Sequence, residues 1–468
     1  MNFSASIEPS QIRPLIHAVL REWHKPDSQA TESFTGLLLT QQLQAENEVA
    51  PLLDTIHTLL RNFLNKLADQ DTEGANVLQQ RFLDQNTVRQ VAQEIGLSID
   101  STNRIQQQAL LNLATLIAQA ENQLRDTRIR QMESLLPSAP YKKLFGRDTL
   151  VQRLVADLES SETHPFIALA GLGGIGKTAV AHAIAQAVLW RFMFQQVLWL
   201  HLEAPSMHGY FPEPEQAWLQ LKAKLIHELE KTENLEANSQ DENWLRHQLK
   251  NHPSLIIIDN LEDQKDVDFI IKKLGHWARP SLFLLTTRSQ PATVIDVLTY
   301  SLEELTQAES FNFIRFEANH RGLSKLATAS KSQLMPIYQI TGGHPLALKL
   351  IAGLATSVPL TAILEDLKRD RPGPTDDMYR NIYRRAWQSL SPNARLLLQS
   401  MPLIGKSGAL PEQMIAVCQL GEAPFWEAVQ ELFGRSLLEV RGTVWERRYG
   451  IHQLTETFLN TEINRWDV

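Results

Sequence analysis

The sequence is poor in the features that would take it out of the ordinary globular class. It has one cysteine, Cys418, in 468 residues, so no internal disulfide can form and nothing calls for an oxidising compartment. Its longest apolar runs, such as Leu255–Ile258, fall far short of the ~20 residues that span a bilayer. The opening stretch MNFSASIEPS has neither a basic n-region nor an apolar core, so no secretory leader is expected. Positive charge is also short: 45 Lys and Arg stand against 53 Asp and Glu, a net charge of -8. That argues against a protein that coats nucleic acid, although one small DNA-reading domain remains compatible with it. No repeat of ~20–50 residues is visible, which excludes a solenoid or propeller. These absences predict a soluble, cytoplasmic protein with no membrane partner.

The remaining composition is ordinary, with 43 % hydrophobic and 21 % charged residues, and a chain of this length is expected to divide into about three or four domains. Residues 1–135 read as all-helical: stretches such as Val49–Leu67 and Ile105–Ile129 carry apolar residues at helical spacing and almost no glycine. Two prolines in Met132–Pro140 mark a linker. From Leu144 the texture changes. Phe166–Ala170, Val197–Leu202, Leu255–Ile258 and Leu282–Thr286 read as doubly buried strands, with helical segments such as Thr178–Trp190 and Glu215–Glu230 between them. This predicts an α/β domain with a parallel sheet over residues 141–300. Thr232–Asp241 is polar and reads as a surface loop. Helical pattern returns over 301–372, and Arg371–Pro374 is a second break. Helices followed by short strands at Leu437–Arg441 and Tyr449–His452 predict a winged-helix domain over 376–468.

The sharpest signal is Gly171-Leu-Gly-Gly-Ile-Gly-Lys-Thr178, which fits G-x-x-x-x-G-K-[ST] between a predicted strand and a predicted helix. Glycines let the backbone wrap phosphate oxygens and turn N–H groups toward them, and the new helix presents its positive end. Lys177 supplies a cation to the β/γ-phosphates, and the Thr178 hydroxyl is a hard ligand for Mg²⁺. Gly171, Gly173, Gly174, Ile175, Gly176, Lys177, Thr178 and Ala179 are therefore expected to hold ATP or ADP. A second strand ends in Asp259 some ~80 residues later, placing a carboxylate for the same magnesium. Asn260 follows where an acid would be the better base; Glu262 is preferred as the group orienting water, with an exposed polar turn as the alternative reading of Glu262 and Asp263. Thr286-Thr287-Arg288 closes a third strand, where Arg288 can report the γ-phosphate or be a surface arginine.

These motifs, together with Leu144-Phe-Gly-Arg-Asp148, Gly342-Gly-His-Pro-Leu-Ala-Leu348 and Tyr449-Gly-Ile-His452, resemble the NB-ARC ATPases of the STAND class over roughly residues 141–460. That class includes apoptotic scaffold ATPases, plant disease-resistance proteins and many bacterial regulators. The resemblance implies that Gly146 and Arg147 pack beside adenine, that Pro345 lies against the base, and that His452 reaches the β-phosphate of ADP and locks a closed state. Pro345 can equally start a helix at its first turn, and His452 can be an ordinary half-buried strand histidine. Asn260 departs from the second aspartate often found in the family, which suits a slow ATPase used as a switch. Family members commonly carry a repeat sensor after the winged helix, whereas this sequence stops shortly after His452. A sensor is therefore expected on a separate protein, on a missing extension, or in the amino-terminal region.

Residues 77–114 have helix-turn-helix spacing: a short helix Thr87–Ile95, a turn at Gly96-Leu-Ser98 with Ser98 as N-cap, and a second helix with Ile105, Ala109 and Leu113 facing inward. This resembles the last DNA-reading domain of bacterial sigma factors. If it reads DNA, Ser101, Asn103, Arg104 and Gln107 would face the groove, but Arg81, Arg89 and Arg104 are offset by Asp84, Glu94 and Asp100, a poor electrostatic footprint. Packing or protein docking is the alternative. The leading functional expectation is an ATP/ADP-controlled signalling switch, closed with ADP and opening or self-associating on exchange, that acts through its amino-terminal helices on a partner or sensor. A DNA-binding transcription regulator under ATPase control is the alternative. A loader or helicase motor fits less well, because no second-subunit arginine motif is visible.

Overall fold

A computed structural model describes residues 6–25, 29–47, 50–160, 164–203, 213–233, 242–261, 263–288, 290–291, 297–369, 375–404, 408–442 and 447–464. The chain divides into two compact units, one of Met1–Glu133 with Val188–Met193 and one of Ser134–Ala187 with Phe194–Val468. Parts of the predicted loop at 232–241 and the break at 371–374 lie outside the described residues.

Among its described residues the regular elements of the first unit are all helical, and they include helices Pro9–Arg21, Leu38–Glu46, Leu52–Gln70, Thr72–Leu78, Val88–Ile95 and Ile99–Leu135. Val88–Ile95 opens with a reciprocal capping box between Thr87 and Gln90 and closes on Gly96 in the left-handed region, φ 69°, which a residue without Cβ adopts cheaply. Ser98 accepts the Ser101 N–H at 3.1 Å and so starts the next helix. That helix runs unbroken for 37 residues, through the linker expected from Met132 and up to the first of the two prolines. The core joins Ile12 and Ile16 of the first helix to Leu60, Leu113 and Ile117 of the later ones.

One charge pair sits inside this apolar core. Glu121 and Arg125 are 0 % and 2 % exposed and meet at 2.8 Å. The Glu121 carboxylate also accepts the N–H groups of Leu38 and Leu39 at 2.9 and 3.0 Å. A carboxylate is favourable at that helix start, where N–H groups lack intrahelical partners.

The second unit holds a five-stranded, wholly parallel sheet in the order β2-β3-β4-β1-β5: β1 Phe166–Ala170, β2 Gln196–His201, β3 Ser254–Leu261, β4 Leu282–Thr287 and β5 Val297–Ser301. β1 and β4 are buried at every residue, as strands covered on both faces should be. β5 was not expected from the sequence. It lies at the sheet edge and is only partly buried, so VLTYS lacks the continuous apolar run of an inner strand. Beyond the sheet, helices from Gln307 onward and the antiparallel pair β6 Glu439–Gly442 and β7 Arg447–Gly450 share one apolar cluster running from Leu305 to Leu459. Both strands of this pair begin or end within two residues of where the apolar pattern puts them.

Removing one member of a buried ion pair strands the other charge. Glu121→Ala should therefore lower the stability of the first unit by about 3–5 kcal/mol, read as a shift of the urea midpoint at unchanged slope. A loss under about 1 kcal/mol would mean that water reaches Arg125.

Candidate functional site

The carboxyl ends of β1, β3 and β4 lie side by side, with Ala170 opposite Thr287 and Leu261 beside it on the other flank. The loop Gly171–Gly176 leaves β1 there and enters the helix Lys177–Trp190. Gly174 and Gly176 have φ of 77° and 105°. At Gly174 a Cβ would stand 2.7 Å from Leu346 Cδ2 and 3.1 Å from His344 Cε1, so only glycine lets the helix Pro345–Leu354 approach so closely. Ile175 is buried, and Gly173, Thr178 and Ala179 are half-buried. Lys177 donates to the carbonyls of Gly171 and Leu172 at 2.8 and 3.0 Å, which keeps its ammonium at the rim of the loop.

Asp259 is the centre of the polar network. It is 3 % exposed, and its Oδ1 accepts from the Thr178 hydroxyl at 2.9 Å and the Thr286 hydroxyl at 2.6 Å. Its Oδ2 lies 3.2 Å from His201 Nδ1; a carboxylate can only accept, so Nδ1 carries the proton. Burial alone would raise the pKa of this carboxyl, but the hydrogen bond and charge of His201, then the Thr286 and Thr178 hydroxyls, outweigh burial and hold it below the ordinary carboxylate value. Thr178 and Asp259 thus bring two hard oxygens together beside a lysine and a glycine cradle, a donor set that fits Mg²⁺ and a nucleotide phosphate.

The structure handles the remaining sequence candidates unevenly. Glu262 lies outside the described residues, and Asp263 is spent on capping the helix Gln264–Leu274 at 2.7 Å. Asn260 stands in the left-handed region, φ 72°, and its amide donates to the Leu202 carbonyl at 2.9 Å, tying β3 to the end of β2. Arg288 is exposed, and its Nη2 is 3.6 Å from where a Cβ on Gly173 would stand. Pro345 is the first residue of its helix. Gly146, φ 63°, borders a cavity of about 520 Å³ together with Phe145, Glu309, Arg315 and Phe316. Arg147 is largely buried and donates to the Glu303 carbonyl; burial lowers its pKa, against the pull of Glu309, Glu304 and Glu303.

His452 caps the helix Gln453–Phe458 by accepting the Leu454 N–H at Nδ1, 3.1 Å away. In the neutral ring Nε2 then carries the proton and is a donor. The Leu454 side chain is 3.7 Å from where a Cβ on Gly173 would stand, so this segment lies against the phosphate loop. In the first unit, Asn103, Arg104 and Gln107 are exposed and Ser101 is half-buried. The Gln107 amide oxygen is taken by Arg13, and the Ser101 hydroxyl by Ser98 at 2.9 Å.

The family model of the NB-ARC domain matches residues 147–324. The chain thus carries a stretch similar to the NB-ARC domain. Among curated relatives it is similar to Disease resistance protein RPP8 of Arabidopsis thaliana, 24 % identical over 235 residues, which is 48 % of this chain and 25 % of that protein. It is also similar to Disease resistance protein RUN1 of Vitis rotundifolia, 24 % identical over 256 residues, 53 % of this chain and 18 % of that protein. The chain spans a quarter or less of the length of these two relatives. A solved structure of a STAND protein with a tetratricopeptide repeat sensor from Pyrococcus horikoshii is similar at 18 % identity and a TM-score of 0.45, covering 70 % of this chain and 43 % of that one.

The NB-ARC match takes in the sheet, Asp259 and Arg288; Pro345 and His452 lie beyond it. Two polar groups of the matched stretch carry no signal of their own in the sequence. His201 ends β2 directly opposite Asp259 in the register, a placement that counting strand ends could have found. Thr286 was legible only as part of the TTR run, yet its hydroxyl both donates to Asp259 and accepts the Asn260 N–H at 2.9 Å.

Thr286→Val keeps the shape and leaves that N–H and one carboxylate lone pair unpartnered in a buried place. It should cost about 1–3 kcal/mol of stability, measured by chemical denaturation of the nucleotide-free protein. An unchanged midpoint would show that the Thr286 bridge is redundant.

Proposed function

We propose that this protein is a nucleotide-controlled signalling switch, closed with ADP and opened by exchange for ATP. The observation that carries the reading is that the segment His452–Leu454, far along the chain, packs on the phosphate loop, with the Leu454 side chain against Gly173 and the His452 ring fixed at the helix start by the Leu454 N–H. A histidine donor delivered from a separate segment makes the position of that segment depend on the nucleotide, and the reverse. Gly171–Ala179 hold the phosphates, with Lys177 on the terminal ones; Gly146, Arg147 and Pro345 border the base; Arg288 senses the γ-phosphate. Thr178 and Asp259 hold Mg²⁺, which when bound neutralises phosphate charge.

Hydrolysis is slow in this reading. Asn260 stands where a second acid would serve and spends its amide on a backbone carbonyl, and Asp263 is a helix cap. The module is laid out as a nucleotide-binding domain over 141–300, a helical domain over 301–372 and a winged helix over 376–468. The amino-terminal helical domain of 1–135 passes the signal to a protein partner or sensor, and the ATP state self-associates. Protein docking is favoured over DNA reading there, because two of the four residues at the presumed reading face are already hydrogen-bonded within the chain. No helix among the described residues is long and apolar enough to cross a membrane.

The purified protein should contain close to one ADP per chain, found by denaturing it and running the supernatant on ion exchange. His452→Ala should come through the same purification largely empty, with ADP bound roughly ten-fold more weakly, the size of one charge-assisted hydrogen bond. A wild-type site that is empty and turns ATP over steadily would replace the switch with a constitutive ATPase.

A further inference from the structure

His344 is the buried histidine of the Gly-Gly-His-Pro turn and has no role in the reading above. It is 1 % exposed. Its Nδ1 is hydrogen-bonded to the hydroxyl of Tyr379, in the helix Thr375–Gln388. The two rings meet edge to face, 5.2 Å between centroids at 84°. With the hydroxyl as donor, Nδ1 accepts and Nε2 carries the ring proton.

That Nε2 is sealed from water and makes no hydrogen bond of ordinary geometry among the described residues, although the Gly173 backbone lies near enough to act on the ring as an acceptor. A buried donor left in this state is rare, because its hydration is lost with nothing in return. The ring nevertheless lies on the phosphate loop: His344 Cε1 is 3.1 Å from where a Cβ on Gly174 would stand. Burial first, then the nearby charges of His452 and Lys177, lower the ring's pKa to about 4, while the Gly173 backbone acts in the opposite direction, as an acceptor facing the ring does. At neutral pH the ring is uncharged and in one tautomer.

We propose that His344 and Tyr379 form a positioning pair for the phosphate loop: the Tyr379 hydroxyl sets the tautomer, and the Nε2–H of His344 steadies the Gly173–Gly174 backbone in the nucleotide-loaded loop. Neither residue touches phosphate. The pair acts through two glycines that have no side chains of their own to anchor them, and it slows nucleotide release from a helix outside the five-stranded sheet. It is made of residues other than His452, which belongs to a later segment. The inference rests on Gly171–Thr178 being a nucleotide site but not on the locked ADP state.

The test is stopped-flow release of a fluorescent ADP analogue from the full-length chain, chased with excess ADP. Tyr379→Phe keeps the ring and removes the hydroxyl; it should release the analogue roughly two- to ten-fold faster, the value of one hydrogen bond. His344→Leu should do the same, and the double variant should be no faster than the faster single one, as a shared interaction requires. His344→Gln, whose amide can accept from Tyr379 and donate toward Gly173, should restore most of the slow rate, and a role in packing alone would not produce that rescue. Wild-type release from Tyr379→Phe, or strictly additive effects, would overturn the pair. If His344→Leu fails to fold by thermal melt, the comparison of Tyr379→Phe with His344→Gln decides. Rapid release from the wild type would sink the ADP lock while leaving these ratios readable, whereas no binding of the analogue at all would sink both readings.

Discussion

The organisation of this protein depends on how closely other segments approach one glycine-rich loop. Gly173 and Gly174 have no side chains, and four groups from distant parts of the chain use the space: Arg288 from the end of β4, His344 and Leu346 from the helix after Gly343, and Leu454 from the carboxyl-terminal helix. Any Cβ at Gly174 would push Leu346 away. The same two glycines that let a backbone wrap phosphate therefore also let the rest of the second unit read that backbone. In the switch proposed above, ligand binding and segment packing would meet at one short stretch of main chain, which would be the physical basis of their coupling.

A second constraint is the treatment of buried charge. Asp259 is tolerated inside the sheet because three side chains donate to it, which costs less than leaving a carboxylate bare in a place water cannot reach. Each donor comes from a different element, so the carboxylate also ties β2, β4 and the phosphate-loop helix to β3. The first unit solves the same problem separately, with Glu121 satisfied by Arg125 and by two N–H groups at a helix start. In both places the polar group specifies one arrangement of its neighbours, because any other arrangement would leave donors or acceptors unmet.

Much of this is legible in the sequence. Period-2 and period-3.6 patterns separate the helical first unit from the α/β sheet, since a strand buried on both faces must be apolar at every position and an amphipathic helix cannot be. The glycine-lysine-threonine spacing marks the phosphate loop because the backbone geometry that wraps an anion admits few residues. β5 was missed because an edge strand buries too little to need an apolar run. His201, Thr286, His344 and Tyr379 were missed for a different reason: a single polar residue in a strand, turn or helix carries no periodic signal, and its partner lies far away in sequence.

The sequence by itself determined the helical character of the first unit, four of the five parallel strands and the position of the phosphate loop, because those follow from local backbone rules and fixed spacing. Only the tertiary structure decided which side chains complete the site. It made Asn260, read from the sequence only as a departure from an acid, a tie between strands, assigned Asp263 to a helix cap, and brought His201 to Asp259 and Tyr379 to His344. The physical reason is the same in each case: hydrogen bonds between residues distant in sequence are set by strand register and helix packing, and neither is encoded in the residues that make the bond.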